Sequence, residues 1–226
     1  GANCLLQSAG GRGVLFGGGS GVRRGRVSVL GGGVAGLCAA RVAAGMGADV
    51  TVFDVDVARM RYIDEVWGGR IGTRFSSPLA VREACGESDV VIGSVLVPGA
   101  RTPHLVDHET VLGMVPGSVL VDIAVDQGGC FEDSHPTTHA DPTFVVGGSV
   151  FYCVANMPGA VPHTSTYALT NATMRYVLLL ADEGWRGACG SRGDLRCGLA
   201  THGGKLLSAP VGEALGIECV PVSEVL

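Results

Sequence analysis

Lysine is almost missing from this chain of 226 residues: Lys205 is the only one, set against fifteen arginines. It lies in the C-terminal tail, so lysine chemistry has no donor along the first two hundred residues. Charge of either sign is scarce, at 16% of residues, while 46% are hydrophobic and mean hydropathy is +0.36. Such a chain is apolar for a free-standing domain and predicts much buried or partner-covered surface. Yet no apolar run reaches 18 residues, which excludes a membrane-spanning helix. No basic stretch followed by an apolar core opens the chain, so no signal peptide is read. The first residue is not Met, and the N-terminus is expected to be processed or cut. Positive charge is in deficit, with a net charge of −5 and pI near 5.6, which argues against nucleic acid as a partner. The early arginines Arg23, Arg24 and Arg26 read as a solvated turn before the first strand. C-x-x-C is absent, which removes a zinc ribbon and a thioredoxin-like site. The eight single cysteines predict buried free thiols in a reducing cytoplasm.

What the chain has in excess is glycine, 37 residues of it. One stretch gives those glycines a purpose. Val27–Leu30 reads as a buried strand running into G-x-G-x-x-G at Gly31, Gly33 and Gly36. A second apolar strand, Val50–Phe53, ends on Asp54, 23 positions after Gly31. That is close to the interval of the dinucleotide fingerprint. Gly31 would permit the tight turn, Gly33 the approach of backbone N–H groups to a pyrophosphate, and Gly36 close helix–sheet packing. The helix N-terminus supplies partial positive charge. Asp54 can accept hydrogen bonds from a ribose diol and would repel a 2′-phosphate, so NAD is favoured over NADP. The bland alternative is a glycine-rich turn that binds nothing; the ordered strand, glycines, helix, strand and acid weigh against it.

Alternation then continues. Helices are expected at Val34–Met46 and Val57–Trp67, a third strand at Ile71–Phe75, and a helix from Ser77-Pro78 (N-cap, then proline at the first helical position) to about Gly86. Strands follow at Asp89–Ser94, Ser118–Ile123 and Ser149–Val154, with a helix around His108–Met114. Ala2–Ala9 reads as the end of a helix. This series predicts an α/β fold, a doubly wound parallel Rossmann sheet. After Pro162 the pattern changes to one long helix, Thr164 to about Asp182, capped by Thr164 or Ser165 and ending at Gly184. Short helices follow. The expected division is 1–161, a dinucleotide-binding domain with a leading helix, and 162–226, a C-terminal helical segment. His135 and His139 are four apart, but Pro136 breaks any helix that would align them. No metal site is expected there, and His104, His108, His163 and His202 read as surface or loop residues.

Five further segments carry a more specific likeness. They are Gly11–Leu15, Val121–Cys130, Pro136–His139, Tyr152–Pro162 and Thr164–Thr173. In them the chain resembles the alanine dehydrogenase family, related to the nucleotide-binding subunit of proton-translocating transhydrogenase. The likeness covers essentially the whole chain but only the second part of that enzyme, whose substrate-binding arginine, lysine and histidine come from the portion before it. Residues 162–226 would then pack on that missing substrate domain. The resemblance implies that Val34 and Ala35 border the pyrophosphate, and that Asp54 holds the adenosine ribose. Arg59 and Ser76 would lie on the adenine side. Val95 and Leu96 would line the cleft, Ile123, Ala124, Val125 and Asp126 the nicotinamide ribose, and Val154, Ala155, Asn156 and Met157 the nicotinamide. Asp126 is the implied catalytic residue, orienting the amine or the water that adds to the imine; read from the residues alone, it could equally cap a loop after the fifth strand. His135 stands where the family usually has arginine, so a cofactor-side cation is not carried over. Arg175 replaces the usual proline. Leu179 and Glu183 occupy the positions of an acid–histidine pair that binds a divalent metal in some members, so no metal is carried over.

The implied cofactor is NAD. The implied substrates are L-alanine, pyruvate and ammonium, in a cytoplasmic homo-oligomer (a hexamer, by family) with no nucleic-acid or membrane partner. Three readings stay open at this point: the NAD-binding half of an alanine dehydrogenase, a stand-alone or transhydrogenase-like nucleotide-binding module, and a truncation product.

Overall fold

The computed structural model describes residues 1–96 and 102–226. The described chain divides into two compact units, 1–96 with 102–155, and 156–226. The first is a seven-stranded sheet in the order β3-β2-β1-β4-β5-β7-β6. Its strands are β1 (Arg26–Leu30), β2 (Asp49–Asp54), β3 (Gly72–Phe75), β4 (Val90–Gly93), β5 (Val119–Asp122), β6 (Thr143–Val146) and β7 (Ser149–Tyr152). All neighbours pair in parallel except β6 with β7. The helices between them are α1 (Val34–Gly45), α2 (Val57–Trp67), α3 (Pro78–Glu87) and α4 (His108–Leu112). The expected doubly wound α/β fold is therefore the observed one.

The central strands are apolar on both faces because helices cover both: β4 and β5 are buried along their whole length. Edge strand β3 is mostly exposed. Phe131 meets Phe151 edge to face at 6.1 Å between ring centroids, and Phe144 stacks on Phe151 at 5.0 Å. Ser77 caps α3 through its side chain, accepting from Ala80 N–H at 3.2 Å, with Pro78 following it as expected. Near Gly1, the backbone shows one helical bond, Leu5 N–H to the Gly1 carbonyl at 3.1 Å, and then a single 3-10 turn at Gln7–Ala9.

Several expectations need correction. The sheet gains β6, which the sequence reading missed. The pair β6–β7 is a hairpin with Val146 opposite Ser149 and Gly147-Gly148 in the turn, both at positive φ. Paired glycines between β-branched residues are a hairpin signal. A second Gly-Gly hairpin, Gly203-Gly204, joins Thr201–His202 to Lys205–Leu206 in the tail, where only helices and a terminal segment were expected. Arg23 and Arg24 are exposed before β1 and Arg26 at its start, as expected, but Arg23 also carries an ion pair. Its guanidinium forks onto Asp89 at 2.6 and 3.0 Å, and Arg12 reaches the same carboxylate at 3.0 Å. Asp89 is fully buried at the foot of β4. Burial alone would raise its pKa, but the hydrogen bonds from Arg23 and the Arg26 N–H, with the charges of Arg23 and Arg12, hold it below the usual carboxylate range. The cysteines are all free, as expected, but Cys38 and Cys197 are exposed.

In the second unit, α5 (Pro162–Ser191) starts earlier than expected, and its first helical stretch ends at Gly184, as expected. Val161 occupies the N-cap with no side-chain cap, and Pro162 opens the helix with its φ already set. Ser165 instead donates to the carbonyls of Pro158 and Val161. At Gly184 the backbone leaves helical geometry (φ 67, ψ 168), so the glycine interrupts the helix, which then resumes to Ser191. Short helices α6 (Gly193–Cys197) and α7 (Ala209–Leu215) follow. Tyr167, Leu169, Val177 and Leu178 on α5 are exposed. No helix among the described residues is long and apolar enough to cross a membrane.

Candidate dinucleotide site

Strand order reverses direction between β1 and β4, the point at which an open sheet of this kind leaves a crevice outside its C-terminal strand ends. Open α/β sheets bind ligands at such a switch point. The chain leaves β1 through Gly31, whose φ of 101° only glycine adopts easily. A Cβ there would also lie 3.0 Å from Val95 Cγ2. Gly36 lies one turn into α1, where a Cβ would come 1.9 Å from the Gly31 carbonyl oxygen. Helix and turn are therefore in direct contact.

Gly33 is different. Its φ of −63° suits any residue, and a Cβ built on it meets no atom within 4 Å. Among the described residues, nothing requires glycine at this position. It is also the N-cap of α1, and it offers no side-chain cap. By contrast, Asp56, Ser77 and Asp107 cap α2, α3 and α4. The first N–H groups of a helix have no intrahelical acceptor. At α1 they face open space in front of Gly33, with Val34 83% exposed beside them. A diphosphate fits that combination, through the helix dipole and the N–H groups together.

Asp54 ends β2 half-buried. Its carboxylate accepts the Gly32 N–H at 2.7 Å and the Asp56 N–H at 2.9 Å, one on each oxygen. A carboxylate has about four acceptor positions, so capacity for two hydroxyl donors is left. Ser76 sits alongside, its N–H bonded to the Asp54 carbonyl at 2.9 Å. Arg59 reaches back from α2, its Nε donating to the Gly32 carbonyl, with its guanidinium over the Tyr62 ring. These contacts bring Gly31–Gly36, Asp54, Arg59 and Ser76 to one end of the sheet.

Across the crevice, Val95 and Leu96 follow β4, and Leu96 is exposed. Ile123, Ala124, Val125 and Asp126 follow β5. Ala124 and Val125 turn their side chains into the core. Asp126 lies in the 3-10 turn Val125–Gln127, exposed, and its carboxylate makes no hydrogen bond or ion pair to a described residue. Val154 is buried and Ala155 half-buried after β7. Asn156 and Met157 belong to the second unit, where Asn156 holds a left-handed backbone (φ 57) ahead of the 3-10 turn Met157–Ala160. His135 stacks on Phe144 at 3.8 Å between centroids. Among the described residues, no three His, Cys, Asp or Glu side chains are grouped to hold a metal ion.

Sequence reasoning missed two supports of this site. Ser94 is buried and its hydroxyl contacts the carbonyls of Leu30 and Gly31, both at 2.9 Å, fixing the glycine turn. Asp122, fully buried at the end of β5, accepts three hydrogen bonds from the segment that follows it. The available signal for Asp122 was an acid ending an otherwise apolar strand.

The switch point, the uncapped helix and the acid on β2 define a Rossmann-type domain for a nicotinamide nucleotide. Comparison with known proteins narrows the class. The family described as Alanine dehydrogenase/PNT, C-terminal domain, matches residues 1–209, and the chain belongs to it. Alanine dehydrogenase of Mycolicibacterium smegmatis is 59% identical over 226 residues, 100% of this chain and 61% of the relative. That of Mycobacterium tuberculosis is 56% identical over the same extent. A solved L-alanine dehydrogenase superimposes with a TM-score of 0.87 at 46% identity, covering 96% of this chain and 60% of that one. A transhydrogenase from Sinorhizobium meliloti gives 0.61 at 27% identity, covering 74% of this chain and 49% of that one. The chain thus spans 61% of the length of the curated relatives it matches.

Proposed function

We propose that this chain is the NAD-binding part of an L-alanine dehydrogenase, which interconverts L-alanine with pyruvate and ammonium. The observation that carries the reading is the uncapped N-terminus of α1 at Gly33, with the Asp54 carboxylate tied into the same turn. Bound NAD supplies the hydride acceptor. The chain's own residues do the rest. The α1 amides hold the pyrophosphate, and Asp54 accepts the adenosine ribose hydroxyls while its charge disfavours a 2′-phosphate. Arg59 and Ser76 flank the adenine end. Val95 and Leu96 wall the crevice, and the backbone of Ile123–Val125 borders the nicotinamide ribose. Val154–Met157 approach the nicotinamide. Asp126 faces the reacting carbon, where its carboxylate holds the amine or the attacking water. Residues 162–226 belong with a substrate domain. That domain brings the cation for the substrate carboxylate, in a cytoplasmic homo-oligomer.

Titration calorimetry with NADH and NADPH tests the cofactor assignment. NADH should bind the tighter of the two. Asp54→Ala should weaken NADH by about 1–3 kcal/mol, the worth of hydrogen bonds to a charged acceptor, and should narrow the gap to NADPH. Equal affinities for the two nucleotides in the unaltered chain would refute the assignment.

A further inference from the structure

The loop that carries Asp126 is pinned at both ends by one buried acid. Asp122 Oδ1 accepts the Ala124 N–H at 3.0 Å, and Oδ2 accepts the Cys130 N–H at 2.8 Å. Between these anchors the backbone turns tightly, with Gln127 and Gly129 both donating to the Ala124 carbonyl, at 2.9 and 3.1 Å. Asp122 Oδ2 has one more partner, the Ser134 hydroxyl, at 2.6 Å. That hydroxyl also lies 3.8 Å from Cys153 Sγ. From Ser134 the chain runs to Thr137, whose N–H bonds the Cys153 carbonyl at 2.9 Å and whose carbonyl accepts the Ala155 N–H at 3.2 Å. The buried carboxylate therefore joins two segments that end at the crevice: the loop bearing Asp126, and the strand end bearing Val154 and Ala155.

Space at this junction is tight. A Cβ on Gly129 would lie 2.8 Å from both Asp122 Oδ2 and the Ser134 Cβ, and one on Gly93, opposite Asp122 in the β4–β5 register, 2.6 Å from the Cys130 Cβ. Burial pushes the Cys130 thiol up to about 12 and the Cys153 thiol up to about 11, so both stay protonated beside the acid. Among the described residues, all three donors to Asp122 come from the segment that follows β5, and none from the sheet.

We propose that Asp122 and Ser134 form a positioning pair that sets Asp126 against the nicotinamide-side segment Val154–Ala155. This rests on the alanine dehydrogenase reading, and it adds two residues that never touch substrate. Each has a role in kcat. An acid that merely satisfied a turn would affect stability alone.

The test uses the full-length protein carrying this chain, with Ser134→Ala as the mild variant and Asp122→Asn as the stronger one. Ser134→Ala should lower kcat for alanine oxidation about tenfold and leave KM for NAD within about twofold, because the binding turn at Gly31–Gly36 is untouched. Hydrogen exchange, measured without substrate, should quicken about tenfold or more at the Ala124 and Cys130 amides and stay unchanged at Val29 in β1. Asp122→Asn, which sets an N–H against the N–H of either Ala124 or Cys130, should exceed both effects. Unchanged kcat or unchanged loop exchange in Ser134→Ala, in a protein where Asp126→Asn loses turnover, overturns the pair and leaves the function standing. Full-length protein with no alanine-dependent turnover overturns both.

Discussion

Exchanging Gly33 for serine is expected to leave the chain at least as stable while costing it about 100-fold in dinucleotide affinity, or about 2.8 kcal/mol at 1.4 kcal/mol per tenfold. The two effects separate because nothing among the described residues needs glycine there. The backbone at Gly33 is extended, as an N-cap requires, and a side chain would meet open space. Serine is a better N-cap than glycine by a few tenths of a kcal/mol, since its hydroxyl accepts an early helix N–H. That same hydroxyl would occupy the place of a phosphate oxygen and engage the amides meant for it. Gly36→Ala should behave differently. Its Cβ would collide with the Gly31 carbonyl, so it should lose about 1–3 kcal/mol of stability through overpacking together with affinity. Thermal unfolding and NADH titration on the two variants check this. A Gly33→Ser variant that binds as well as the parent would place the nucleotide elsewhere.

Asp126→Asn in the full-length protein should reduce turnover about 100-fold or more, in the range of a lost acid–base group, with NADH affinity changed by less than about threefold. Asp126 is exposed in the turn after β5 and supports nothing in the described fold: its carboxylate has no described partner, and the loop holding it is anchored through Asp122 instead. Its removal should therefore cost chemistry and spare structure. Steady-state kinetics with L-alanine, beside a melting curve, separate the two. An unchanged rate would remove Asp126 from the mechanism.

How much was legible follows from what each feature depends on. Strands such as Val27–Leu30 and Val50–Phe53 are continuous apolar runs because both faces of a parallel sheet are covered, and they stand out without any tertiary knowledge. Ser77-Pro78 marks a helix start by local chemistry alone. The glycine fingerprint and Asp54 are a local motif as well, and the structure brings them together at one switch point. The roles of Asp89 and Ser94 were not legible, because their partners are distant in sequence. Arg23 meets Asp89 across 66 positions, and Ser94 meets Gly31 across 63. Periodicity carries no trace of such pairs. The two Gly-Gly hairpins were legible in principle, but in a chain with 37 glycines the signal was lost among turns. Helix α5 began at Pro162 and not at a hydroxyl cap because proline had already set the first φ, and Ser165 spent its hydroxyl on upstream carbonyls.

The central claim is that this chain holds the nucleotide while another part of the protein holds the amino acid. It is tested most directly by following NADH absorbance with L-alanine and NAD for residues 1–226 and for the full-length protein side by side, after NADH binding to each has been measured. The expected result is NADH binding by both and alanine-dependent NADH formation by the full-length protein alone. Robust turnover by residues 1–226, or full-length protein that binds NADH and never oxidises alanine, would contradict it.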